Sequence, residues 1–222
     1  SNIKEAIAIA RSRKMFVSES FLVGSAADHK TIIIEKTPKE LAVYDPAGDN
    51  IQCTNHYQSK TFATQKLNRE QIANSASVYR YQRLQELMQQ NYPLTPQKMA
   101  NILRDRRGIG NADIGEGNEK AVNQLIAHHS VIFQPDSLRM WVSTAPWQLG
   151  TYVCYDMRTV FGKKPVKDTA IAMNKLNIPA DSFIYTGQYR DFLVFRTNKM
   201  ALLQHKPVDT AAVVHSNPQY YD

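Results

Sequence analysis

Between residues 15 and 57, four short apolar runs alternate with tight turn signals. A chain patterned this way folds as an antiparallel meander. Residues 15–26 alternate through Phe16, Ser18, Ser20 and Leu22, and Ala27-Asp-His-Lys30 makes a hairpin-type turn. The next run, 31–36, holds three consecutive isoleucines, which favour a pleated strand because they are branched at Cβ. Pro38 breaks the pattern before a third run at 41–44. Pro46-Ala-Gly-Asp-Asn50 is a second turn signal, and 51–57 reads as the fourth strand. This last run, Ile51-Gln-Cys-Thr-Asn-His-Tyr57, ends in polar residues. Polar side chains at a strand end need partners or a task, since a buried amide left unpaired costs about 1–3 kcal/mol.

An amphipathic helix precedes the meander. Ile3, Ala6, Ile7 and Ala10 recur at helical spacing over residues 3–14, and Ser1 or Asn2 can cap it. After the meander, residues 58–75 are polar and read as irregular. Residues 77–90 form a helix with Tyr81, Leu84 and Met88 at core spacing. Arg80 and Arg83 lie on a neighbouring face. Thr95-Pro96 opens another helix to about residue 106, with proline in its first turn. Residues 108–117 contain four glycines and form a loop. The apolar run 122–133 has Asn123, Gln124, His128 and His129 embedded in it. Strands are expected at 138–144 and 151–156, and helices at 167–175, 185–205 and 209–215. The order gives an α+β fold of mainly antiparallel sheets, read as a single domain over residues 1–222, with 157–222 as a helical tail.

The chain has 222 residues, enough for an ample core. No apolar run approaches the length of a transmembrane helix. With 27 basic and 20 acidic residues the formal charge is +7. The basic residues are dispersed, with no stripe interleaved with aromatics, so nucleic acid is not an expected partner. The two cysteines, Cys53 and Cys154, sit in apolar runs without a CxxC pattern. They read as lone buried thiols, and no metal or cofactor is expected. A chain that starts without methionine and enters a helix almost at once reads as a fragment or a processed chain.

Three placements carry chemistry. Cys53 and His56 suggest a nucleophile–base pair, but in a strand residues three apart face opposite ways. Asn55 shares a face with Cys53, and its amide can donate to a developing oxyanion. It can equally satisfy its own turn, and the residues alone favour that. His128 and His129, adjacent in an extended run, point apart and make no two-ligand site.

A family resemblance narrows these alternatives. The helix with Glu5-Ala6 leads into Phe21-Leu-Val-Gly-Ser-Ala26. Ile32-Ile-Ile-Glu-Lys-Thr-Pro38, Cys53-Thr-Asn-His56 and Ser77-Val-Tyr-Arg-Tyr-Gln-Arg-Leu84 follow in order. His129-Ser-Val-Ile-Phe-Gln-Pro135, Leu138-Arg-Met-Trp-Val142 and Gly150-Thr-Tyr-Val-Cys-Tyr-Asp156 continue the series. Over residues 3–157 this resembles the C-terminal part of the acyl-coenzyme A:6-aminopenicillanic acid acyltransferase-like family. Its members are autoproteolytic cysteine peptidases and acyltransferases of the N-terminal nucleophile hydrolase superfamily.

The resemblance implies an αββα sandwich and acyl transfer or hydrolysis at an amide or thioester of a small-molecule substrate. It implies a cysteine nucleophile freed by self-cleavage, its own α-amine as base, and an asparagine, matching Asn55, as oxyanion donor. His56, Asn123, Gln124 and Arg80 are the implied substrate-binding candidates. No cysteine here occupies the nucleophile's place, so the expected partner is an upstream, N-terminal half of the same protein. Apolar surface left by that half would invite its association, or that of another copy as a homo-oligomer. The rival reading is a binding or structural module that keeps the fold without the chemistry.

Overall fold

The computed structural model describes residues 2–162 and 171–221. The chain divides into two compact units, Ser1–Gln82 and Arg83–Asp222.

The first unit begins with helix α1 (Ile3–Ser12), whose first turn is closed by Asn2: its side-chain oxygen accepts from the Glu5 N–H at 2.9 Å. Strands β1 (Glu19–Ser25), β2 (Lys30–Lys36) and β3 (Leu41–Tyr44) form an antiparallel sheet in that order, with Phe21 opposite Ile34 and Glu35 opposite Ala42. β2 is central, and its residues from Ile32 to Lys36 are all buried, so both faces are covered. Helix α1 packs on β1 and β2. Lys36, buried, sends its ammonium to the carbonyls of Ala10 and Arg13, closing the C-terminal end of α1 from outside the helix.

The expected fourth strand does not form: residues 51–57 are an ordered loop. Its bonds go to side chains instead of a neighbouring strand. Tyr57 donates its N–H to Asn68 Oδ1 at 2.8 Å and accepts from Asn68 Nδ2 at 3.0 Å. The buried Glu35 carboxylate accepts from the N–H groups of Gln58 at 2.5 Å and Ser59 at 3.0 Å. Side chains thus take the backbone groups at Tyr57, Gln58 and Ser59 that a strand partner would otherwise satisfy. Residues 58–75, expected to be irregular, instead hold helices α2 (Lys60–Ala63) and α3 (Lys66–Asn74). Phe62 of α2 is fully buried and its ring lies 4.8 Å from that of Tyr57.

Helix α4 (Ser77–Asn91) carries the chain into the second unit. Its expected apolar stripe is only half-buried; the deeply buried positions are Ser77, Arg83 and Leu87. Arg83 is 1% exposed, paired through two nitrogens with Asp105 at 2.8 and 2.9 Å, and bonded to Glu86 and Asn111 at 2.8 Å each. Four of its five N–H donors are met by these side chains, so this arginine is a structural tie. Helix α5 (Pro96–Leu103), capped by Thr95, is three residues shorter than expected. Strands β4 (Val131–Gln134), β5 (Arg139–Ser143) and β6 (Tyr152–Asp156) form a second antiparallel sheet, against which α5 packs at β4. Its core gathers Ala100, Ile132, Trp141, Tyr152, Cys154 and Ile178.

Only residues 131–134 of the 122–133 run are strand, so the alternation read for His128 and His129 does not apply; both are exposed in a loop. Helix α6 (Met157–Val160) follows β6. Helices α7 (Gly187–Leu203) and α8 (Thr210–Ser216) close the unit over Leu125, Leu149, Phe183, Phe192, Phe195 and Val213. Of the helix expected at 167–175, residues 167–170 lie outside the described residues; the described part, 171–175, is not α-helical and holds only the start of a 3-10 turn at Asn174–Leu176.

Candidate active site

The loop 51–57 meets the first turn of α4 in the first unit. Ser77, Arg80 and Tyr81 stand three and four residues apart, so they share one helix face. Each reaches a different part of the loop. Ser77, fully buried, accepts a 2.9 Å bond from Thr54 Oγ1 at its carbonyl, and its hydroxyl lies 3.0 Å from Thr54 Oγ1 and 2.8 Å from His56 Nδ1. Thr54 Oγ1 is also 3.1 Å from His56 Nδ1. Tyr81 packs edge-on against the His56 ring, with centroids 5.7 Å apart. Arg80 Nη2 donates to Asn55 Oδ1 at 2.5 Å.

Thr54 spends its one hydrogen on the Ser77 carbonyl. The three remaining contacts among Thr54 Oγ1, Ser77 Oγ and His56 Nδ1 share the Ser77 hydroxyl hydrogen and, in one tautomer, an Nδ1 hydrogen, so His56 Nδ1 donates or accepts according to its tautomer. Burial pushes the His56 pKa below the ordinary imidazole value; Glu35 opposes this and Arg80 adds to it. His56 is neutral at pH 7.

Asn55 is exposed. A guanidinium only donates, so the amide oxygen must be the atom that faces Arg80. The amide nitrogen then points elsewhere, and among the described residues it makes no hydrogen bond. An asparagine held by its oxygen presents an oriented N–H donor, polarised by the positive charge behind it. This is the property an oxyanion donor needs.

Of the residues singled out in the sequence, Asn55, His56 and Arg80 come together here. Asn123 and Gln124 lie in the second unit. Asn123 is fully buried, giving Nδ2 to the Trp147 carbonyl at 3.0 Å and accepting from the Leu125 N–H at 3.0 Å, so both ends of its amide are occupied. Gln124 is half-buried. Cys53 and Cys154 are free thiols. Burial first, then Glu35, pushes the Cys53 thiol up, which keeps it protonated at neutral pH. With the strand gone, the opposite-face argument against a Cys53–His56 pair lapses; the protonated thiol and the engaged His56 Nδ1 replace it. Sequence reasoning missed Thr54, Ser77, Tyr81 and Glu35. The spacing Ser77-x-x-Arg80-Tyr81 at a helix start was the available signal.

Among the described residues no group of three or more His, Cys, Asp or Glu side chains could hold a metal ion, and no helix is long and apolar enough to cross a membrane. The profile of a family described as acyl-coenzyme A:6-aminopenicillanic acid acyl-transferase matches residues 1–145. No curated protein and no solved structure matches the chain.

Proposed function

Because the chain belongs to the acyl-coenzyme A:6-aminopenicillanic acid acyl-transferase family, we propose that Asn55 is the oxyanion donor of an acyl-transfer reaction. The acyl group comes from an amide or thioester of a small molecule and goes to an amine or to water. The nucleophile is a cysteine in an upstream segment of the same protein, freed by self-cleavage, with its α-amine as base. In the whole protein the two sheets belong to an αββα sandwich.

The chemistry follows from the direction of the Asn55 amide. When the cysteine sulfur adds to the substrate carbonyl, the C=O π pair moves onto oxygen, and that oxygen becomes an anion. Asn55 Nδ2–H donates to it. The intermediate collapses by expelling the amine, protonated by the α-ammonium, or the thiolate, and leaves an acyl-enzyme. The acceptor then attacks the same carbonyl, and the same donor serves again. Arg80 touches neither substrate nor sulfur; it holds the amide that does. Neutral His56 fixes the loop from the other side through Ser77 and Thr54.

The supporting observation is the Arg80–Asn55 bond at 2.5 Å, which turns the amide nitrogen outward as a donor. The test is Asn55→Ala in the full-length protein, measured by steady-state acyl transfer. Loss of one oxyanion donor lowers kcat by about 100- to 1000-fold, with KM little changed because the ground-state carbonyl gains little from the bond. A kcat within about twofold of the parent contradicts the assignment.

A further inference from the structure

Asn55 is the one exposed residue of loop 51–57, and its two neighbours in the chain turn inward to the same place. Thr54 Oγ1, Ser77 Oγ and His56 Nδ1 lie within 3.1 Å of one another, and Thr54 Oγ1 also donates to the Ser77 carbonyl at 2.9 Å. Ser77 is a firm anchor for this closure. It is fully buried, it opens α4, and its own N–H donates to Ser75 Oγ at 3.2 Å. A hydroxyl this deep is out of reach of bulk water, so a partner lost from it is not replaced.

The Arg80 bond places one end of the Asn55 side chain, its amide oxygen. One fixed point does not set a direction. The donor N–H is aimed only when the Cα end is fixed as well, and the residues that continue the backbone from that end are Thr54 and His56. The tolerance is narrow, on the order of 0.5 Å and 10–20° for a group that must meet a transition state. Of the two hydroxyls that close the loop, that of Thr54 is the hub. Without the Ser77 hydroxyl, Thr54 still reaches the Ser77 carbonyl and His56 Nδ1. Without the Thr54 hydroxyl, only the His56–Ser77 contact of this group survives, and residue 54 is released from α4.

We propose that Thr54 is a positioning residue for the oxyanion donor, its hydroxyl fastening the backbone on both sides of Asn55 to the first turn of α4. It touches neither substrate nor sulfur and acts through Asn55. The catalytic consequence rests on the acyl-transfer reading; the fastening itself is measurable without substrate.

The test pairs Thr54→Val, which keeps the shape and deletes the hydroxyl, with Thr54→Ser, which keeps the hydroxyl and deletes the methyl. The first readout is ¹⁵N relaxation of the Asn55 side-chain amide in the full-length protein. The order parameter should be about 0.85 in the parent and in Thr54→Ser, and below about 0.6 in Thr54→Val. Ser77→Ala should fall between them. The second readout is steady-state acyl transfer. Thr54→Val should lower kcat by about tenfold with KM little changed, and Thr54→Ser should stay within about twofold of the parent. In the Asn55→Ala background Thr54→Val should cost nothing more. If the valine variant does not fold, Thr54→Ala carries the same expectations.

A rigid Asn55 amide in Thr54→Val overturns the proposal, as does a serine variant as loose as the valine one. A loosened amide with unchanged kcat, where Asn55→Ala is slow, also overturns it and leaves the acyl-transfer reading standing. An unchanged kcat in Asn55→Ala overturns that reading, and the positioning role with it, whatever the amide shows.

Discussion

Replacing Glu35 by glutamine tests whether a carboxylate stands in for the absent fourth strand. Its two oxygens accept from two successive N–H groups, Gln58 at 2.5 Å and Ser59 at 3.0 Å, inside the first unit. Each charge-assisted bond contributes about 1.5–3 kcal/mol. Glutamine keeps one acceptor oxygen but turns the other position into an NH₂ that faces a backbone N–H. One bond is lost outright, the other falls to the neutral value of about 1 kcal/mol, and two donors are set against each other. Relief of the buried charge returns part of this. The net expectation is a local destabilisation of about 3 kcal/mol, a large share of the 5–15 kcal/mol typical of a domain. The assay is native-state hydrogen exchange at the Gln58 and Ser59 amides, which reads the loop itself and not the whole chain. Their protection should fall by about 100-fold, the equivalent of 2.7 kcal/mol, while amides in β5 stay unchanged. Protection within about threefold of the parent would refute the idea that Glu35 anchors the loop.

Other consequences can be checked separately. His56 should titrate below 6.5 in ¹⁵N-resolved NMR; Arg80→Gln should raise that midpoint, since the Arg80 charge helps to depress it. A depressed histidine gives stability that is present above 6.5 and is lost as pH falls through the folded value. Glu116 has the opposite sign. Burial raises its pKa against the pull of Arg106, so its contribution is fully present below 4.5 and is lost as pH rises through the folded value; Glu116→Gln should flatten that part of the stability–pH curve in denaturant titrations. Gly115→Ala should loosen the C-terminal turn, because φ is +75° and a Cβ would clash with the Tyr220 backbone nitrogen. Limited proteolysis should then cut near residues 217–221 sooner than in the parent.

Much of the architecture was written in local pattern. The three isoleucines of β2, Pro96 at the start of α5 and the apolar runs of β5 and β6 each satisfy a local rule that the packing also obeys. Residues 51–57 do not: their alternation resembles a strand, but Asn68 holds the Tyr57 backbone and Glu35 holds the next two N–H groups, at Gln58 and Ser59, and no periodicity announces side chains in that role. Helix α3 was hidden for a related reason. Its Leu67 is 79% exposed and its one buried residue is Asn68, so it has no apolar stripe to be seen. The candidate site was legible only in pieces. Asn55 and Arg80 are 25 residues apart, and the bond that orients the amide depends on how the loop meets the first turn of α4. Residue types suggested a donor, but only the fold could show which amide atom faces outward.

The central claim is that Arg80 acts through Asn55, and a double-mutant cycle in the full-length protein measures it. Asn55→Ala alone should lower kcat by about 100- to 1000-fold, and Arg80→Gln alone by about tenfold with KM little changed. In the Asn55→Ala background, Arg80→Gln should have no further effect, because the amide it orients is gone. Effects that multiply, with the double variant about tenfold slower than Asn55→Ala, would mean that Arg80 acts elsewhere and that the Asn55 amide is not the donor it holds in place.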